Sequence, residues 1–273
     1  MKLDMQKIYI DSRFRTANSK SESDFNVELP RSFNVPDGVV AHIDDIVIPV
    51  SWSTIDERNQ NCHVRMYSGG TITPDKYTFA PANYDGFQFA VELELNLNYT
   101  ATTYGGAITF SCIYNSAENM LSVSVSDARL AATKISAPFK MEFLTDDAIS
   151  TGSDPSTVNT IIRNRVQTFI TEATSYTCYL DLFQTRNLYL TSSALCSYDT
   201  VSNFGMDTIV KKIPCTAGYN KMIFMSSGST LDGLDVSKRT LRFLDFKLVD
   251  SSFRTIPLRG NHFSFSIVFQ QKR

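Results

Sequence analysis

The chain has no C-x-x-C pair, no G-x-S-x-G elbow and no glycine-rich loop followed by Lys-Ser/Thr. Each absence removes a class of chemistry: short-spaced zinc or redox thiols, the α/β-hydrolase nucleophile, and the phosphate cradle of a nucleotide-binding loop. Histidine is scarce, and His42, His63 and His262 are isolated except that Cys62 precedes His63. Adjacent strand residues point to opposite faces, so that pair is a poor chelate and no metal is expected. The five cysteines, Cys62, Cys112, Cys178, Cys196 and Cys215, are an odd set at scattered spacings. They fit reduced thiols from an intracellular folding compartment better than a secreted disulfide framework. No uncharged apolar run approaches the roughly 20 residues that a helical membrane span requires, and no long apolar stretch of a signal peptide is expected behind Met1–Lys7. The one sequon, Asn98-Tyr99-Thr100, is expected by chance in a chain of this size.

The remaining acidic and glycine-containing segments read as turns or solvated loops. Gly69-Gly70 and Gly105-Gly106 are turns, and Leu231-Asp232-Gly233-Leu234-Asp235 is a turn without a complete calcium ligand set. Asp44-Asp45 and Asp146-Asp147 have no partner for acid/base work. The chain is therefore read as a protein without enzymatic activity, cofactor or metal.

What is present is period-two hydrophobicity. In Phe263-Ser264-Phe265-Ser266-Ile267-Val268-Phe269 every odd position is apolar, which makes the carboxyl-terminal segment a half-buried core strand. Residues 7–12 and 25–29 alternate similarly, and 39–50 is rich in β formers and ends near Pro49. Polar residues 51–61 mark an exit from this core. Strands at 64–67 and 77–79, a hairpin at 107–114 and 120–126 around Ser116–Asn119, and a strand at 139–144 follow. Residues 145–157 form a loop, with Ser156 or Thr157 capping a short helix that runs through Arg163. Further strands recur at 165–170, 176–182, 186–191, 207–213, 221–226, 240–249 and 263–269, a spacing that argues for a β-sandwich. A phase shift within 240–249 predicts a bulge near Leu244 and Asp245.

Residues 86–97 satisfy two periods at once. Phe87, Phe89, Val91, Leu93, Leu95 and Leu97 alternate as a strand, whereas Phe89, Ala90, Leu93 and Leu97 share one helical face. Charge is also segregated. Residues 1–82 carry 9 basic against 11 acidic groups, 83–160 carry 3 against 9, and 161–273 carry 14 against 8. Two readings fit: ordinary variation of surface charge, or an acidic lobe on a more basic body whose basic side meets acidic neighbours or nucleic acid.

A series of short pieces adds a resemblance. Ile8-Tyr9-Ile10-Asp11-Ser12-Arg13 precedes Ser23-Asp24-Phe25, Ile46-Val47-Ile48-Pro49 and Asn83-Tyr84-Asp85-Gly86. Leu188-Tyr189-Leu190-Thr191-Ser192-Ser193, Ile213-Pro214, Asp235-Val236-Ser237-Lys238-Arg239, Leu248-Val249-Asp250 and Leu258-Arg259-Gly260-Asn261-His262-Phe263 follow. In this order, across nearly the whole chain, they resemble penton and minor capsid proteins of virophages, polinton-like viruses and related icosahedral double-stranded DNA viruses.

The resemblance implies an all-β fold: a single jelly-roll sandwich from 1–61 and 161–273, with 62–160 inserted as an outer, mostly β domain containing a short helix. It favours the helical reading of 86–97. It implies a homopentamer at the capsid vertices, assembled in the host cytoplasm and located in the virion, with the major capsid protein as neighbour. A cementing minor capsid role between or beneath capsomers is the alternative, and a carbohydrate- or receptor-binding β module is another. The inserted domain would then meet a host receptor or glycan. No long basic amino-terminal arm is present, so contact with packaged DNA is expected to be weak and non-specific. Loop residues that a core cannot use are the candidate assembly contacts: Arg13, Phe14, Arg15, Trp52 and Arg58.

Overall fold

The computed structural model describes residues 6–69, 71–102, 106–129, 138–144, 157–162, 168–196, 208–226 and 233–271. In chain order, β1 (Gln6–Asp11), β2 (Asp24–Asn34) and β3 (Val39–Pro49) come first. β4 (Asn61–Ser68), β5 (Thr71–Thr78), α1 (Gly86–Ala101), β6 (Ile108–Asn115), β7 (Met120–Asp127), β8 (Lys140–Phe143), α2 (Asn159–Ile162) and β9 (Tyr176–Tyr179) follow. The chain closes with β10 (Asn187–Thr191), β11 (Ile209–Pro214), β12 (Met222–Ser226), β13 (Leu234–Asp235), β14 (Thr240–Val249) and β15 (Ser264–Gln271).

Two compact units result, Met1–Trp52 with Thr185–Arg273, and Ser53–Gln184. The sequence-based boundaries at 61/62 and 160/161 are thereby corrected. Ile55, Ile161, Ile162, Ile170, Tyr176 and Leu180 all belong to the core of the second unit, so their segments are held there. The division sharpens the charge segregation: the first unit has 18 Lys+Arg against 14 Asp+Glu, or +4, and the second 8 against 14, or −6.

The first unit holds two antiparallel sheets. One runs β1-β15-β3-β12, with β13 also on β3, and the other runs β11-β10-β14-β2. They share one apolar core, across which Phe33 meets Phe269 with ring centroids 4.9 Å apart and Phe246 meets Phe265 at 4.8 Å. The alternation of the last strand is met, since Phe263, Phe265, Ile267 and Phe269 are all buried.

Its register shifts between Phe265 and Ile267, where the paired β3 residues are Ile46 and Ile43. Ser266 therefore faces two β3 residues, and its buried hydroxyl donates to Asp45. The adjacent acids Asp44-Asp45 are the two residues of this bulge, and Asp44 accepts from Lys7 at 2.7 Å. The β14–β2 pairing is irregular between Leu241 and Phe243, not at Leu244–Asp245: Leu241 pairs Phe33 and Phe243 pairs Glu28, so the extra residues lie on β2. Arg242 and Phe243 are both exposed, so the phase change falls there, before the regular alternation of Leu244, Phe246 and Leu248 begins. The β2–β3 turn uses Gly38 at φ +71, a conformation L side chains rarely adopt.

The second unit contains the sheets β5-β4-β8 and β6-β7-β9, with α1 alongside β6. The helical period wins over 86–97. Asp85 accepts from Gln88 N–H while the Gln88 side chain accepts from Asp85 N–H, a capping box that starts the helix and that a strand could not use. Phe89, Ala90, Leu93 and Leu97 are then buried on one face, and Phe79 stacks on Phe89 at 5.4 Å. Gly86 is required because any Cβ there would collide with the Tyr114 ring.

The 107–126 hairpin forms as expected, closing at Asn115 opposite Met120. Buried Asn159 accepts from His63 N–H and donates to the carbonyls of His63 and Leu144, tying α2 to β4. Thr157 does not cap α2 through its hydroxyl; its carbonyl accepts from Thr160 instead. Ser156, Arg163, Asp146, Asp147 and residues 165–167 of the expected 165–170 strand lie outside the described residues, while Ile170 forms an isolated bridge to Met141.

Candidate assembly surface

Three of the five candidate contacts share one loop. Between β1 and β2 the chain makes a single 3-10 turn at Ser12–Phe14, started by Asp11, whose carboxylate accepts from Arg13 N–H. The same carboxylate holds the Arg13 guanidinium with contacts of 2.5 to 3.0 Å. These bonds hold the Asp11 carboxyl below the ordinary aspartate range. Ser12 is fully buried: its N–H donates to Phe263 O and its Oγ accepts from Phe263 N–H at 3.1 Å.

With the turn anchored from below, Phe14 projects outward at 77% exposure, and Arg13 lies over its ring at 5.9 Å from the centroid. Arg15 is drawn back, bonding Ser12 O and Glu22. A rigid Arg-Phe knob is what this local sequence builds.

Trp52 is a correction. It is 7% exposed and packs in the core of the first unit, so its indole serves burial and offers no contact surface. Arg58 belongs to the second unit, where its backbone N–H and guanidinium both bind Asp56. The structure therefore groups Arg13, Phe14 and Arg15, and separates Trp52 and Arg58 from them by burial and by unit.

Ser12, His262 and Asp11 have the residue types of a hydrolase triad. Ser12 Oγ lies 3.3 Å from His262 Nδ1, yet it is buried and already accepts from Phe263 N–H, while Asp11 is engaged by Arg13. The arrangement latches the end of β1 to the start of β15. Among the described residues, no group of three or more His, Cys, Asp or Glu is gathered as a metal site. Asp235 serves its turn by accepting from Ser237 N–H; Asp232 lies outside the described residues.

Sequence reasoning missed several outward apolar groups. On β12, Met222 and Phe224 are exposed while Ile223 is buried; Phe243 is exposed on β14 beneath the Arg242 guanidinium. The phase of alternation relative to a buried neighbour was the available signal. A further surface is the outward face of β6-β7-β9, where Thr109, Ser111, Ser124, Ser126 and Thr177 are exposed beside Ile113 and Tyr179. That face carries hydroxyls and no charge. No helix among the described residues is long and apolar enough to cross a membrane. No protein-family model matches the chain, and no curated protein matches it.

Proposed function

We propose that this chain is a structural capsid protein of an icosahedral virus, forming the pentameric penton at the vertices. The observation that carries the reading is strand order. If the eight long strands of the first unit are numbered along the chain, its sheets read 1-8-3-6 and 5-4-7-2, the pairing expected of a jelly roll. The second unit is then an insertion between the third and fourth strands. Jelly rolls are common in viral capsids, and the order of short sequence pieces described above points the same way.

In this reading the function is assembly, and its chemistry is burial between copies and against the major capsid protein. The Arg13–Phe14 knob offers a contact whose backbone is already held by the Ser12 anchor, which lowers the ordering cost of binding. The +4 charge of the first unit fits weak, non-specific contact with the packaged polyanion, and the −6 unit would face outward. A cementing role between capsomers would use the same surfaces at a different copy number.

The test is mass in solution. Sedimentation or native mass spectrometry is expected to give a species of five 30.6 kDa chains, held by at least about 1,200 Å² of buried surface per neighbouring pair. A monodisperse monomer at high concentration, together with particle maps lacking this chain at the vertices, would remove the reading.

A second reading draws on the uncharged hydroxyl face of β6-β7-β9 with Tyr179 at one end. A neutral, flat surface with one exposed ring suits a glycan better than a charged partner, so the full chain would be a receptor-binding β module. Binding on a glycan array, lost in Tyr179→Ala, would favour it.

A further inference from the structure

Helix α1 presents apolar residues on its outer side as well as its inner one. Phe87, Val91, Leu95 and Tyr99 follow each other at four-residue spacing and are 57%, 59%, 61% and 81% exposed. Residues at i, i+4, i+8 and i+12 form one ridge along a helix, so this is a continuous apolar rib. Neither Lys nor Arg occurs anywhere on α1 to interrupt or guard it.

The polar side chains flanking the rib are already spoken for within the unit. Gln88 accepts from Asp85 N–H, and Asn96 Nδ2 donates to the Glu92 backbone carbonyl and carboxylate. Glu94 accepts from Cys112 N–H at 2.8 Å. Asn98 accepts from Phe110 N–H at 2.8 Å and donates to Phe110 O at 3.0 Å, so its amide closes the free edge of β6 as a neighbouring strand would. These internal bonds lower the desolvation cost of covering the rib, and the Glu92 and Glu94 carboxylates beside it stay at the rim.

We infer that this rib is a homotypic contact, packing against the same rib of a second copy about a two-fold axis. Size and shape select the occupant. With Phe87 and Tyr99 of roughly 150 to 250 Å² each, the smaller Val91 and Leu95 between them, and all four more than half exposed, the rib presents at most on the order of 500 Å². Two copies would bury at most about 1,000 Å², at the lower bound for a specific interface, which suits a weak contact. A single i±4 ridge also packs into the i±4 grooves of its own kind, at a crossing angle near −50°.

On that axis the two helices run in the same sense, so Val91 and Leu95 lie at the centre and each faces its own counterpart in the other copy. The second unit is acidic, so the two copies repel while the rib attracts. Association is therefore weak, and salt strengthens it by screening. This contact is independent of the five-fold ring, which needs two different patches per copy.

The test uses the full chain with Cys196→Ser and Cys215→Ser, leaving the three buried thiols, and with Val91→Cys or Leu95→Cys added. Under mild oxidation, each is expected to give a symmetric disulfide-linked pair. Yields should fall at least tenfold when cysteine is placed instead at Glu118, an exposed residue away from the rib. Separately, Leu95→Glu should weaken self-association at least tenfold by sedimentation, with the circular dichroism of the fold retained. Equal cross-linking at position 118, or an unchanged association constant in Leu95→Glu, overturns the homotypic contact. Pentamers that persist in Leu95→Glu and form no symmetric disulfide at 91 or 95 would exclude this contact while leaving the vertex reading intact. A two-fold pair without pentamers would do the reverse.

Discussion

Phe265 in β15 and Phe224 in β12 stand in the same sheet and face opposite ways. Phe265 is buried against Phe246 and Phe263, whereas Phe224 is exposed. Phe265→Ala should cost about 3 to 5 kcal/mol in urea unfolding, since it removes apolar contact and leaves a cavity; Phe224→Ala should stay within about 0.5 kcal/mol. Asp127 supplies a pH signature. Its carboxyl is held below the ordinary aspartate range, first by the Arg129 side chain and further by the Arg129 backbone N–H. A lowered folded-state value means the stabilisation is present above the unfolded aspartate pKa of about 3.9 and fades as pH falls through the folded value. Thermal melts should lose this contribution on acidification, and Asp127→Asn should flatten that part of the profile. Burial raises the thiols of Cys62, Cys112 and Cys178, the last to about 12. These three should resist alkylation at neutral pH until the chain unfolds, while half-buried Cys196 and Cys215 react first.

Helix α1 shows how an element is chosen when two periods compete. Alternation of apolar residues over 87–97 suits a strand, but a strand has no use for Asp85 and Gln88, and the capping box settles the start. Asp85→Ala should cost about 0.5 to 2 kcal/mol, read by chemical denaturation, because orphan amides of the first turn lose their acceptor. The same overlap of periods concealed the outer rib, since residues alternating as a strand also occupy both sides of a helix. Sequon residue Asn98 is explained at this scale too: its amide is consumed by both backbone groups of Phe110, a partner that no local pattern could reveal. At β14, the shift of phase was legible in the sequence. Its position was not, because an exposed Phe243 looks like a core residue until the partner strand sets the register.

Across the whole molecule, charge and strand order are the two organising features. The proposed polyanion contact of the +4 unit is tested on immobilised duplex DNA: retention at about 50 mM salt and release by about 200 mM is its expected signature, since contact through a few cations is lost steeply with counterion concentration. Retention that persists at higher salt would point instead to a specific reader. From the sequence alone came the β class, the 107–126 hairpin, the core phase of the final strand and the acidic character of the middle. These follow from local periodicity, turn residues and composition, which one chain carries without reference to its partners. Tertiary structure alone decided the strand order of the two sheets and the unit boundaries at 52/53 and 184/185. It also decided the burial of Trp52 and the outward rib of α1. Each depends on which surface meets which, and pairing between distant segments is a property of packing that no local pattern encodes.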